Sequence, residues 1–253
     1  MIHKITAIYF SPTGTSRREA VTLAAALGEE IAEIDLSCPC RQEISFTEGD
    51  LVVVSGPVYG GRLPSYMTDK LKDIHGNGAA AVTLAVYGNR AYEDALLELN
   101  DCMAEQGFSV IASAALIAQH SIINEVAAGR PDAADEKEVT DFAAKVLNKY
   151  ASSSSSRLKV PGDRPYKTWT PMPVTPVVSD HCLKCGLCAQ KCPTGAIDMD
   201  HPQQTDALKC ILCMRCISVC PEHARAIPSS VRENLAQKLG PLKEIRRPNE
   251  FYI

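Results

Sequence analysis

The 253-residue chain has little of what marks several common protein classes. Aromatic residues make up 6% of it and tryptophan occurs once, as Trp169. Lys and Arg are outnumbered, 26 against 30 Asp and Glu, for a formal net charge of -4. A nucleic-acid binder carries a basic surplus, so no nucleic-acid partner is expected. No apolar run approaches the roughly 20 residues of a membrane-spanning helix. The apolar part of the N-terminal MIHKITAIYF is too short for a secretory signal. The expected location is therefore the cytoplasm, away from any membrane. A Walker A ending (Gly-Lys-Ser/Thr) and a Gly-x-Gly-x-x-Gly dinucleotide fingerprint are both missing. With 45% hydrophobic and 22% charged residues, the chain can build a conventional core and global disorder is excluded. Its length suits one large domain or two of moderate size.

Cysteine, by contrast, is abundant. Of eleven, eight lie between residues 182 and 220, and only Cys38, Cys40 and Cys102 lie elsewhere. Without an export signal, such crowding reads as metal binding rather than disulfide bonding. Charge is also unevenly divided. Residues 1–150 hold 12 basic and 21 acidic side chains, and residues 151–253 hold 14 and 9. This is either compositional scatter or a basic half that docks against the acidic half or an acidic partner.

Residues 1–150 alternate short apolar runs with amphipathic stretches. The strand candidates are ITAIYF, EIAEIDL, LVVVSG, AAVTLAVY and FSVIASAALIA, separated by helical segments such as SRREAVTLAAALG. LVVV is apolar throughout, as expected of a strand buried on both faces of a parallel sheet. Gly28, Gly76 and Gly107 are expected to end helices in the left-handed conformation. Together these features predict a doubly wound α/β domain with a parallel five-stranded sheet. Residues 151–176 read as a linker, first serine-rich and flexible (ASSSSS, 151–156) and then proline-rich and extended. The second part is expected to pack across one or both domains with Trp169 as an anchor; the alternative is an unattached linker. The composition leaves open whether the cluster unit is fixed or swings about the serine run. Residues 177–228 hold the cysteine runs. Residues 229–253 form a C-terminal helix and tail, where Ser230 and Glu233 fit a capping box.

Three loops of the first domain suggest a ligand. SPTGTS (11–16) joins the first strand to the first helix. There hydroxyls and backbone N–H groups converge at a helix N-terminus, which suits a phosphate without any cation. SGPVYGGRLPS follows the third strand and VYGNRAY the fourth, both at carboxyl ends of strands, where doubly wound sheets bind ligands. Each sets an aromatic beside glycine, at Tyr59 and Tyr87. Arg62 and Arg90 are either solvated charges or ligand or partner contacts. Tyr92 reads as a helix core residue, and His120 as a structural histidine that could border the site. Cys38 and Cys40 read as ordinary thiols at a strand end, and Cys102 as a packed core residue.

CLKCGLCAQKCP places Cys182, Cys185, Cys188 and Cys192 at x2, x2, x3 spacing before Pro193. CILCMRCISVCP repeats this 28 residues later with Cys210, Cys213, Cys216 and Cys220 before Pro221. Three thiolates on one tight loop can bind three corners of a cubane, and the fourth corner needs a ligand from outside that loop. A pair of zinc sites is the alternative, though zinc rarely needs three cysteines in one x2-x2 run. In the second run, EHAR adds two residues before the echoed Ala-Ile, which puts the surroundings of the nearby cluster in question but not its ligands.

The cysteine pattern resembles that of bacterial two-cluster ferredoxins. The resemblance implies one [4Fe-4S] cluster on Cys182, Cys185, Cys188 and Cys220 and another on Cys210, Cys213, Cys216 and Cys192. YFSPTGTS resembles the flavodoxin phosphate loop, with Ser11, Thr13, Gly14 and Ser16 at its fixed positions and Thr15 as a further hydroxyl. That resemblance implies FMN, with Pro57, Val58, Tyr59 and Gly60 on one side of the flavin ring and Tyr87, Gly88 and Asn89 on the other. The last strand has no long interruption, as in short-chain flavodoxins. The whole arrangement resembles the flavodoxin–ferredoxin fusion proteins of anaerobic microbes. It implies an electron-transfer protein that links two [4Fe-4S] clusters to FMN and exchanges electrons with external redox partner proteins. Two alternatives stand beside it: an FMN-dependent reductase of a quinone, nitro compound or free flavin, fed by the clusters, and an empty docking domain for the ferredoxin. No separate nicotinamide-binding domain is recognisable.

Overall fold

The structure is a computed structural model that describes residues 2–39, 43–152 and 158–253. Most of the serine run expected as a linker, and Cys40, lie outside the described residues. The chain starts with β1 (Ile5–Tyr9), α1 (Thr15–Leu27), β2 (Ile31–Asp35), a short β3 (Ile44–Ser45) and β4 (Leu51–Pro57). It continues with α2 (Ser65–Leu71), a short β5 (Ile74–His75), β6 (Ala80–Tyr87), α3 (Ala95–Glu105), β7 (Ser109–Ile117) and α4 (Ala133–Ala151). The long strands lie side by side as β2-β1-β4-β6-β7, all parallel. Setting aside β3 and β5, which pair only with each other, this is the 2-1-3-4-5 order of the flavodoxin-like doubly wound fold.

Alternation along the central strands explains the layers. Val53 and Val82 face α1 and α4, where they meet Leu23, Leu27, Phe142 and Val146. Val52, Val54 and Ala81 face the other way, towards Met67 and Leu71 of α2 and Leu99 and Met103 of α3. A strand with side chains buried on both faces has no polar face to show, hence the unbroken LVVV. Of the three expected glycine caps, only Gly107 is left-handed, with φ 80°. Gly28 is extended, and a Cβ there would lie 2.6 Å from Ile5 Cδ1. Gly76 follows β5 instead of a helix, and a Cβ there would lie 2.5 Å from the Phe108 ring. Neither is a left-handed cap; at Gly76 a Cβ would also lie 2.7 Å from the Phe108 backbone nitrogen, so close packing requires glycine there.

The second unit opens with β8 (Val177–Val178), which pairs antiparallel with β9 (Arg225–Ala226). Between them lie two single-turn helices, α5 (Leu187–Gln190) and α6 (Arg215–Ser218), one after each cysteine loop. The chain ends with α7 (Ser229–Leu239), a 3-10 turn (Gly240–Leu242) and β10 (Glu250–Tyr252). Helix α7 starts directly after Pro228 and no side chain caps it. The Ser230–Glu233 pair thus falls inside the helix, and the expected capping box does not form. Strand β10 pairs antiparallel with β7 and adds a sixth strand to the five parallel ones.

The basic second half docks on the acidic first half. Among the described residues, Arg164–Asp101, Lys167–Glu93, Arg215–Asp35, Arg232–Glu125 and Arg246–Asp132 all join a cation after residue 150 to an anion before it. The proline-rich segment is a strap, not a free linker. Asp94 accepts from the backbone N–H groups of Asp163 (2.9 Å) and Lys167 (2.6 Å), and Arg62 Nη1 donates to the Lys167 carbonyl at 2.7 Å. Trp169 anchors it as expected, edge-on to Tyr59 with ring centroids 6.5 Å apart.

Candidate functional site

Helix α1 begins at Thr15 after Gly14, whose φ of 96° is left-handed. Gly14 at the N-cap has no side chain to cap the helix, and Ser11 Oγ reaches only the third amide, accepting from Arg17 N–H at 2.9 Å. The N–H groups of Thr15 and Ser16 consequently have no partner among the described residues. Unpaired amides at a helix N-terminus attract an anion, and Thr13, Thr15 and Ser16 line an open cavity of ≈ 710 Å³.

Three further loops close on that cavity. Pro57 to Gly61 form one wall, Tyr87, Gly88 and Arg90 a second, and Gln119, His120 and Ser121 a third. The first of these is a tight turn in which Tyr59 and Arg62 exchange two backbone hydrogen bonds of 2.8 and 3.1 Å. Gly60 and Gly61, with φ of 60° and 92°, supply its left-handed corner. A Cβ on Gly60 would lie 1.9 Å from Trp169 Nε1, so the strap rests directly on this turn. Burial pushes the Tyr59 phenol well above its ordinary value, and the nearby Cys213 thiol acts in the same direction.

Ten of the twelve residues expected to hold FMN line this cavity: Ser11, Thr13, Thr15, Ser16, Pro57, Val58, Tyr59, Gly60, Tyr87 and Gly88. Gly14 shapes the turn from behind. Asn89 is placed elsewhere: it is fully buried, and its amide donates to the carbonyls of Leu242 (3.0 Å) and Ile245 (2.7 Å), tying down the C-terminal segment. Arg62 is structural, paired with Glu98. Arg90 lines the cavity and pairs with Glu93 at 3.0 Å. Tyr92 is buried in the core. Cys38 is disulfide-bonded, not the ordinary thiol expected. Cys102 packs against the core and burial raises its thiol to about 12.

The cysteine loops repeat in the backbone as well as in sequence. Lys184 and Leu212 are left-handed, as are Gly186 and Met214 and then Gly195 and His223, each pair 28 residues apart. Cys192 Sγ accepts from Ala196 N–H and Cys220 Sγ from Ala224 N–H, both at 3.3 Å. The repeat thus runs intact through Ala224, and the two extra residues fall after it, within β9. There Arg225 is 3% exposed and borders Cys182, Cys188 and Cys220.

These residues fit iron–sulfur clusters. The side-chain Nε atoms of Arg215 and Arg225 are buried without a protein acceptor, and cluster sulfurs accept such bonds. Burial raises the thiols of Cys213 to about 12 and Cys216 to about 11, so metal coordination is what would keep them as thiolates. Cys213 also lines the first cavity together with the phosphate turn. Nearby, Arg215 Nη2 donates to the Ser11 carbonyl at 3.4 Å and lies 3.8 Å from Asp35. No local feature of the sequence indicates that meeting of Cys213 with the turn. The wall at 119–121 was legible in principle, since it follows the fifth parallel strand just as the other loops follow theirs.

The strand order and the four converging loops define a flavodoxin-like α/β unit. Residues 181–225 match a family model described as a 4Fe-4S dicluster domain. The first unit thus has a flavodoxin-like fold by its own topology, and residues 181–225 resemble a ferredoxin-type dicluster domain. A ferredoxin from Megasphaera elsdenii is 68% identical over 22 residues, 9% of this chain and 41% of that protein. Among solved structures, flavodoxin 2 of Bacillus cereus matches with 15% identity over 60% of this chain and 99% of that one, at a TM-score of 0.42. The rubredoxin:oxygen oxidoreductase of Desulfovibrio gigas matches with 15% identity over 59% of this chain but only 36% of that one, at 0.40. Among the described residues no helix is long and apolar enough to cross a membrane.

Proposed function

We propose that this chain is a cytoplasmic electron relay between two [4Fe-4S] clusters and an FMN, serving external redox proteins. Cubanes carry single electrons, whereas FMN joins one-electron to two-electron chemistry. The observation that carries the reading is the place of Cys213, a ligand in the second cysteine loop and also a wall of the cavity at the phosphate turn. The cluster on Cys210, Cys213, Cys216 and Cys192 is accordingly the proximal one. The cluster on Cys182, Cys185, Cys188 and Cys220 is distal, and its loop faces solvent through Cys185 and the 71%-exposed Leu183. That exposed loop is where an outside partner would exchange electrons. The amides of Thr15 and Ser16 would hold the FMN phosphate, with Tyr59 and Tyr87 beside the ring.

Iron, sulfide and flavin analysis of protein purified without oxygen tests this. About eight irons and one FMN per chain are expected, and rapid mixing with a one-electron donor should reduce the clusters before the flavin. Eight irons with no flavin, even after FMN is added, would make the first unit a docking domain. A second reading, reduction of a small molecule next to the flavin, is favoured by an apolar cavity that adjoins the first at Val58–Gly60.

A further inference from the structure

The adjoining cavity holds ≈ 780 Å³ and is built by every part of the chain. It shares Val58, Tyr59, Gly60, His120 and Ser121 with the flavin cavity. It then extends between Trp169 and Met172 of the strap, Ile211 and Leu212 of the proximal cysteine loop, and Leu235 of α7. No Lys, Arg, Asp or Glu lies on its wall, so it favours an uncharged ligand. Apolar walls with one or two placed polar groups are the usual make-up of a small-molecule site.

The placed polar group is His120. Its Nδ1 accepts from the N–H groups of Ile122 (3.2 Å) and Ile123 (3.0 Å). A nitrogen that accepts carries no proton, so the neutral ring holds its proton on Nε2. That Nε2–H has no acceptor among the described residues. On the same cavity wall, the Trp169 ring is held by its contact with Tyr59 and by Gly60, which has no side chain to push it away.

We propose that this cavity binds an uncharged planar ring compound with a carbonyl oxygen, the quinone class, with that oxygen on His120 Nε2–H and the ring near Trp169. Binding depends only on the cavity. A role for the compound as electron acceptor or donor rests on the relay reading, which sets the flavin and the proximal cluster next to it.

Trp169 is the sole tryptophan, so its fluorescence reports occupancy whether or not flavin is present. The experiment titrates menadione into the full chain, purified without oxygen, and measures flavin content separately. Saturable quenching is expected. Met172→Phe, which narrows only the second cavity, should weaken binding about tenfold with flavin content unchanged. His120→Asn keeps an acceptor for the Ile122 and Ile123 amides, but its shorter side chain leaves no donor at the position of Nε2. It should weaken menadione about tenfold and leave the carbonyl-free methylnaphthalene unaffected. Saturable quenching in protein that takes up no flavin would support this site while defeating the relay. Quenching that grows linearly without saturation would overturn the proposal. So would loss of flavin in Met172→Phe, which would make the second cavity part of the flavin's own site.

Discussion

Glu19 stands on α1 at a phase that reads as buried, three residues after Ser16 and four before Leu23, both of which face the core. The structure leaves Glu19 1% exposed with neither carboxylate oxygen hydrogen-bonded. Burial, with Asp135 adding to it, raises its carboxyl from 4.5 to about 8. A carboxyl raised on folding contributes no penalty below its unfolded value. Stability then falls between pH 4.5 and about 8, as the unfolded chain ionises and the folded chain does not. Glu19→Gln should therefore change little near pH 4.5 and stabilise increasingly up to pH 8, by on the order of a few kcal/mol. Apparent melting temperatures of the two proteins across that range check this, and a constant difference would mean that Glu19 is ionised in the fold. The phosphate-turn hydroxyls were legible one by one because a helix N-terminus needs those residue types. The misplacement of Asn89 was not legible, since its partners lie more than 150 positions away.

At the scale of elements, the long parallel strands were legible from unbroken apolar runs, because burial on both faces leaves a mark in every residue. Strand β10 left none: three residues, Glu250–Tyr252, are too few for any period. What holds β10 in place lies just before it. Asn249 Oδ1 accepts from Ile117 N–H at 2.9 Å, and its Nδ2 donates to Asp135 at 3.1 Å and Glu138 at 2.7 Å. Arg130, in a buried ion pair with Asp135, also donates to the Arg247 carbonyl at 2.8 Å. Asn249→Ala strands the Ile117 N–H in the interior, a loss of roughly 1–3 kcal/mol, and should release the tail. Tryptic cleavage after Arg246 should then accelerate severalfold, and an unchanged rate would place the tail's anchor elsewhere. Arg246 holds the Asp132 carboxyl below its ordinary range. The tail contact is therefore present above that range and is lost as pH falls through the folded value.

For the whole molecule, the sequence left open whether the cluster unit swings about its serine run, because composition reports stiffness but not attachment. The contacts decide for attachment at both ends. Ahead of the cysteine loops, Asp94, 5% exposed, holds two backbone N–H groups of the strap. Behind them, Leu239 of α7 packs into Ile123 and Val126, and β10 completes the sheet. The exposed ion pairs between the halves add little each, but they all have the same polarity, which sets the orientation of docking. In the proposed relay, a unit fixed in this way would pass electrons across a constant gap, with no search step to slow them. A flexible Gly/Ser insertion within 153–157 therefore should leave the cluster-to-flavin rate after rapid mixing unchanged, and added viscogen should not slow it. A swinging carrier would respond to both, because a longer tether lowers the effective concentration of donor at acceptor and viscosity opposes the swing. Asp94→Ala in the same assay loosens the strap at its buried end and should make the rate sensitive to both insertion and viscosity, tying the constant gap to these contacts.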